Sequence, residues 1–282
     1  MLIDTHAHIN FKAFETDFSE VIQRAFDNDI FVINVGTQLD TSTEAVMLAK
    51  QYPKQAFAVV GLHPVHTYSQ HLDEEESSFK TREEVFDYNQ YQKLAENPEV
   101  VGIGECGLDY FRLNVEDTRY KIEDIKQMQK NAFIKQIQLA KELNKALVIH
   151  SRSSPGTDDA CLEILEILKT EGVSQLRFVL HSYTGSPEVA KQFVALGAYI
   201  SFNGIITFDK TGNQAAVLQV VPNDRIVLET DCPYLTPVPM RGKRNESLFV
   251  KYVAVKVAEL KNQSVDAVEI LTTQNAKRLF NI

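Results

Sequence analysis

The chain has 282 residues, 44% of them hydrophobic, and a formal net charge of −9. That length fits one α/β barrel or two average domains, and no apolar run approaches the roughly 20 residues that span a bilayer, which argues against a membrane protein. The acidic balance excludes a broad electrostatic grip on duplex nucleic acid, which calls for a basic face; such a substrate has to be held locally, near the reacting phosphate.

A strand at 2–5 opens the chain and runs into Thr5-His6-Ala7-His8. A helix at 17–28 places Phe18, Val21, Ile22, Ala25 and Phe26 on one face, with Asp17 and Glu20 spaced as a capping box. Strand 31–35 leads to a helix over 41–50 with Thr41 and Glu44 at the same spacing, and strand 56–60 leads to Gly61-Leu62-His63-Pro64. The connection 64–98 is long; it holds the acidic run Asp73-Glu74-Glu75-Glu76, read as a solvated loop rather than a cation site, and a helix from Thr81 to Glu96 with a Thr81/Glu84 capping box. Strand 100–104 ends on Glu105, and the longest helix, 119–143, carries Ile122, Ile125, Phe133, Ile137 and Leu143. Strands 146–149 and 177–180 end on His150 and His181, Ser186-Pro187 reads as a helix N-cap followed by proline, and strands 198–202 and 226–229 lead to Asp231. A last helix over 264–280 covers the outer layer.

These strands are short and rich in Val and Ile, as strands buried on both faces are. Their alternation with helices predicts one domain over 1–282, a (β/α)8 TIM-type barrel, whose functional groups sit at the C-terminal strand ends. An open doubly wound sheet usually carries a glycine-rich phosphate loop after its first strand, and none follows residues 2–5.

His6, His8, Glu105, His150, His181 and Asp231 all fall at such ends. His6 and His8 have the period-two spacing that turns both rings to one side. Glu105 lies in Gly102-Ile103-Gly104-Glu105-Cys106-Gly107, where bare backbone lets ions or substrate approach, and a carboxylate can bridge two cations with its two oxygens. Asp231 suits an acceptor for the proton of an attacking water that a cation has acidified. Imidazoles and carboxylates without thiolates suit Zn²⁺, Mn²⁺ or, with waters, Mg²⁺. The cysteines, Cys106, Cys161 and Cys232, are too few for a disulfide framework and lack zinc-ribbon spacing; a reducing, cytoplasmic setting follows, with no signal-peptide pattern at the start. Cys106 and Cys232 adjoin site acids but read as small buried hydrophobes rather than nucleophiles. Arg112, Arg152, Arg241, Lys243 and Arg244 follow the candidate ligands and suit a phosphate, as does His63.

In order along the chain, Asp4-Thr-His-Ala-His-Ile-Asn10, Gly61-Leu-His-Pro64, Gly102-Ile-Gly-Glu-Cys-Gly-Leu-Asp-Tyr110, Ile149-His-Ser-Arg152, His181-Ser-Tyr-Thr-Gly-Ser186, Glu229-Thr-Asp-Cys-Pro-Tyr-Leu235 and Arg241-Gly-Lys-Arg-Asn-Glu246 make the sequence resemble the TatD family of metal-dependent deoxyribonucleases, in the amidohydrolase superfamily. The resemblance implies a (β/α)8 barrel with two divalent cations, His6, His8 and Asp231 holding the first, His150 and His181 the second, and Glu105 bridging. It also implies a cytoplasmic enzyme that hydrolyses phosphodiester bonds, removing nucleotides from DNA 3′ to 5′ with DNA ends or a small nucleotide substrate as partner. Departures fall at 66–90, at Ser153-Ser154-Pro155-Gly156 and at Asn245-Glu246-Ser247, three stretches expected on loops around the pocket mouth. Two alternatives stand beside this reading: an amidohydrolase or lactonase, less favoured because Glu105 and not a lysine ends the fourth strand, and a non-catalytic metal-binding barrel.

Overall fold

The computed structural model describes residues 1–68, 83–111, 113 and 120–282. The acidic run at 73–76, Thr81 and Arg112 lie outside the described residues. Eight parallel strands form one sheet in sequential order: β1 (Leu2–Ala7), β2 (Ile30–Val35), β3 (Ala56–Val60), β4 (Val100–Asp109), β5 (Ala146–Arg152), β6 (Phe178–His181), β7 (Tyr199–Phe202) and β8 (Ile226–Leu228). A parallel bridge between Ala7 and Cys232 brings the end of the sheet back to its beginning, reinforced by His8 N–H to Cys232 O at 2.9 Å and Asp231 N–H to His6 O at 2.9 Å. The chain is therefore a (β/α)8 barrel, with α1 (Phe18–Phe26), α2 (Leu39–Gln51), α3 (Tyr88–Ala95), α4 (Ile122–Glu142), α5 (Asp159–Glu171), α6 (Pro187–Ala195), α7 (Asn213–Val220), α8 (Val250–Lys261) and α9 (Val265–Phe280) packed outside it. No helix among the described residues is long and apolar enough to cross a membrane.

Two apolar layers hold the barrel. One lies between sheet and helices. The other fills the barrel itself with Ile3, Ile33, Val59, Val101, Val148, Val179 and Val227, plugged at the N-terminal end by Ala276, Leu279 and Phe280 of α9. Each such side chain withdrawn from water contributes roughly 1.5–3 kcal/mol. Because strand side chains alternate, the inward positions of Val148, Val179 and Val227 put His150, His181 and Glu229 one rung higher on the same face.

The helix starts differ from the sequence expectation in instructive ways. Asp17 makes no cap bond, because its carboxylate is taken by Arg244 at 2.5 Å. Helix α2 begins earlier than Thr41: Gln38 is its N-cap and Thr41 sits at the third helical position, its hydroxyl accepting the Gln38 N–H at 2.9 Å. Helix α3 starts at Tyr88 under an Asp87 cap, and Glu84 instead accepts the Tyr91 hydroxyl at 2.5 Å. Ser186 does cap α6, accepting from Val189, and α9 starts one residue later than expected, at Val265, with Ser264 as its cap accepting from Ala267, each such cap contributing about 1 kcal/mol.

The glycines of β4 serve the sheet. Gly104 has φ +142° and Gly107 φ +135°, and a Cβ on them would meet Val148 O at 2.5 Å and His150 O at 2.1 Å. They let β4 press against β5 where its register shifts between Ile103 and Cys106, rather than baring the backbone to a ligand.

Candidate metal centre

Glu105, 3% exposed, sits at the middle of the cluster at the C-terminal rim. Its Oε2 lies 3.3 Å from His6 Nε2 and 3.9 Å from His8 Nε2. Its Oε1 lies 2.8 Å from His150 Nδ1, 3.3 Å from His181 Nε2 and 3.2 Å from His63 Nε2. The two oxygens thus face two sets of imidazoles. Asp231 Oδ1 completes the first set, 3.4 Å from His8 Nε2 and 3.9 Å from His6 Nε2. Three overlapping groups, His6–His8–Glu105, His6–His181–Asp231 and His63–Glu105–His150, each have ligand-type atoms within 4.8 Å of one another. The structure brings all six sequence-predicted residues to one place.

The partners on the far side of each ring fix which nitrogen faces inward. His8 Nδ1 lies 2.9 Å from Val35 O, so it carries the proton and Nε2 offers a lone pair to the centre. His150 Nε2 donates to Asp109 Oδ2 at 3.0 Å, leaving Nδ1 towards Glu105. His181 Nδ1 is 3.1 Å from Glu229 Oε1 without forming a hydrogen bond, and that oxygen accepts from Ser182 N–H at 2.7 Å and Asn203 Nδ2 at 3.2 Å; we read the contact as an ion pair that orients the ring. His6 Nε2 points at His8 Nε2 only 3.2 Å away, and its Nδ1 is buried with no hydrogen-bond partner. Converging lone pairs on a shared carboxylate fit a divalent cation, and carboxylates behind the rings are what orient imidazole ligands. His63 is different. Its Nδ1 accepts the Val65 N–H at 3.2 Å, so Nε2 bears the proton, and despite its ligand-like distance it is a donor facing the centre.

Charge balance supports the same reading. Burial opposes ionisation of Glu105, but His63, His181 and His6 outweigh it and hold its carboxyl well below the usual range. Burial works against charge on His150 too, yet its hydrogen bonds to Asp109 and Glu105 push it up to about 9, and Glu229, Glu105 and Asp231 hold His181 well above its ordinary value against the same burial. His6 moves the other way, lowered by burial and the neighbouring His181. Protons on His150 and His181 therefore stand where cations would, and the two compete. Because His150 is raised, a cation held by it would have to displace its proton everywhere below about 9. Metal affinity is expected to climb as pH rises from 6.5 to 8.5, by up to about tenfold per unit for each proton released. Titration with Mn²⁺ at fixed pH values checks this; a flat profile would mean that no raised imidazole is a ligand.

A pocket of about 590 Å³ opens over the cluster, lined by His8, His63, Glu105, Asp109, Phe111, His150, Arg152, His181 and Asp231, with Ser153 to Gly156 along its mouth. A larger cavity of about 740 Å³, among Lys54, Glu99, Lys145, Arg177 and Phe280, contains no histidine; the chemistry belongs to the smaller one. The TatD-related DNase family model matches residues 3–281 of the chain. The chain belongs to that family. It is 39% identical over 283 residues, with complete coverage of both chains, to a Bacillus subtilis protein named uncharacterized metal-dependent hydrolase YabD. It is 31% identical over 287 residues, again with complete coverage of both, to the 3′-5′ ssDNA/RNA exonuclease TatD of Erwinia tasmaniensis. The crystal structure of the TatD homolog YjjV from Escherichia coli K12 superimposes with a TM-score of 0.81 at 26% identity, covering 100% of this chain and 98% of the other.

In this TatD-family barrel the cationic residues divide. Arg152 lines the pocket. Arg241, Lys243 and Arg244 do not line it: Arg241 donates to Thr236 O and covers Phe208, and Arg244 pairs with Asp17, donates to Ala13 O and covers Phe14. Arg244 thus ties the loop after β8 to the start of α1 instead of gripping a phosphate there. The departure at 245–247 likewise lies behind the pocket. Asn245 is fully buried and donates to Thr230 O and Tyr234 O, while Glu246 pairs with Arg24 at 2.5 Å. Cys106 and Cys232 are buried, and burial pushes the Cys232 thiol up to about 12; they are packing groups. Asp109 and Glu229 are absent from the sequence expectation. Their signal was parity: Asp109 shares the face of Glu105 four residues on, and Glu229 that of Val227.

Proposed function

We propose that this protein is a two-cation phosphodiesterase that releases nucleotides from the 3′ ends of single-stranded DNA. The observation that carries the proposal is the two-sided environment of Glu105, each oxygen facing its own imidazoles. The relative named as a 3′-5′ ssDNA/RNA exonuclease supports the substrate class.

His6, His8 and Asp231 would hold one cation, His150 and His181 the other, with Glu105 between them. Bound divalent ions (Mg²⁺, Mn²⁺ or Zn²⁺) supply Lewis acidity towards phosphoryl oxygens and acidify the attacking water. The chain's own residues do the rest. Asp231 has the most accessible side chain of the two cluster carboxylates, 14% against 4% for Glu105, and neighbouring imidazoles hold it ionised against burial, so it accepts the water's proton. His63 Nε2–H donates to a non-bridging phosphoryl oxygen, and Arg152 neutralises charge nearer the mouth. Water oxygen bonds to phosphorus, the P–O3′ bond breaks, the departing O3′ takes a proton from solvent, and a 5′-monophosphate leaves.

Incubation of 5′-labelled single strands with each metal tests this. A ladder shortening from the 3′ end, stopped by chelator, is expected. Intact strands in Mg²⁺, Mn²⁺ and Zn²⁺ alike, with turnover of lactones or cyclic amides instead, would refute it.

A further inference from the structure

We infer that Phe111 is a stacking platform for the unpaired bases of the strand being shortened, and that it sets the preference for single strands; this rests on the phosphodiesterase reading above. Phe111 follows β4 directly and is 45% exposed. Among the described residues it is the one aromatic in the set of exposed large hydrophobics, and the one member of that set that lines the pocket over the metal centre. Its ring lies against Arg152, whose guanidinium carbon is 4.1 Å from the ring centroid.

Its position is tied to the centre by a run of hydrogen bonds. Phe111 N–H donates to Asp109 Oδ1 at 3.0 Å, Asp109 Oδ2 accepts from His150 Nε2 at 3.0 Å, and His150 Nδ1 meets Glu105 Oε1 at 2.8 Å. The residue at the rim and the Glu105 carboxylate are therefore held in one frame. With a net charge of −9 the protein does not draw its grip on a backbone from an overall basic balance. A ring is the alternative grip: it accepts the π-face of any base, so it binds without sequence preference. The guanidinium against the ring adds positive charge beside the phosphates. A duplex end exposes only the outer face of its last pair and keeps its other bases paired and stacked, so it presents no run of unpaired bases to the ring, which gives discrimination against double strands.

The test compares wild type, Phe111→Ala and Phe111→Trp on metal-loaded enzyme, using 3′-labelled single strands with normal or abasic residues at the last three positions. On normal strands Phe111→Ala should lower kcat/KM by about 5- to 150-fold, mainly through KM, which is the 1–3 kcal/mol of one stacked base at 1.4 kcal/mol per tenfold. On abasic strands the two enzymes should agree within about twofold, and Phe111→Trp should restore activity on normal strands. Equal loss on both substrates, or no loss on normal strands, overturns the platform while leaving the phosphodiesterase reading intact. Inactivity of the wild type on every strand overturns both, and is seen before any variant is made.

Discussion

Replacing Glu105 with alanine is expected to abolish hydrolysis, lowering kcat/KM by about 10³-fold or more, and to remove stoichiometric metal binding. The size follows from the several kcal/mol that cations contribute to charge stabilisation in phosphoryl transfer, at about 1.36 kcal/mol per tenfold. Glu105 faces both sets of imidazoles, so its loss would weaken both of the proposed cation positions together. The fold should survive. Without that carboxylate the pull that raises His150 and His181 is reduced, while Asp109 and Glu229 still partner the two rings. Steady-state kinetics beside circular dichroism separates the outcomes: a folded variant within tenfold of wild-type activity would remove Glu105 from the centre.

Gly107→Ala is expected to cost about 3–5 kcal/mol of stability, read as a lower urea midpoint at unchanged slope. A Cβ there would sit 2.1 Å from His150 O with φ at +135°, so backbone strain of about 1–3 kcal/mol adds to a forced separation of β4 from β5 of similar size. Gly156→Ala is the control, since its φ is +76° and nothing lies within 4 Å of its Cβ position; left-handed strain alone costs about 1–2 kcal/mol. Equal losses in the two variants would show that the β4–β5 approach is not tight.

What the chain discloses before folding is the periodic part. Buried parallel strands announce themselves as short Val- and Ile-rich runs, and residues that end such runs are forced to one rim by the barrel. His150, His181 and Glu105 were legible for that reason. Residues just past a strand, where alternation is lost, were less so: the loop after β8 sends Asp231 to the centre but turns Arg241 and Arg244 onto aromatic faces elsewhere. Asp109 and Glu229 lie within the motifs at 102–110 and 229–235 and on the faces that strand parity gives them, but that each backs a histidine shows only once neighbouring strands are paired. Caps were misplaced where a tertiary partner competed, as Arg244 does for Asp17. The glycines of β4 looked like space for a ligand, and only the register with β5 shows that they make space for backbone.

The most direct test of the central claim is the electron paramagnetic resonance spectrum of chelator-treated protein titrated with Mn²⁺. Two ions sharing the Glu105 carboxylate should bind per chain and give an exchange-coupled spectrum, which the Glu105→Ala protein lacks. Saturation at one ion, or two ions that titrate with uncoupled signals, would contradict a centre built around that carboxylate.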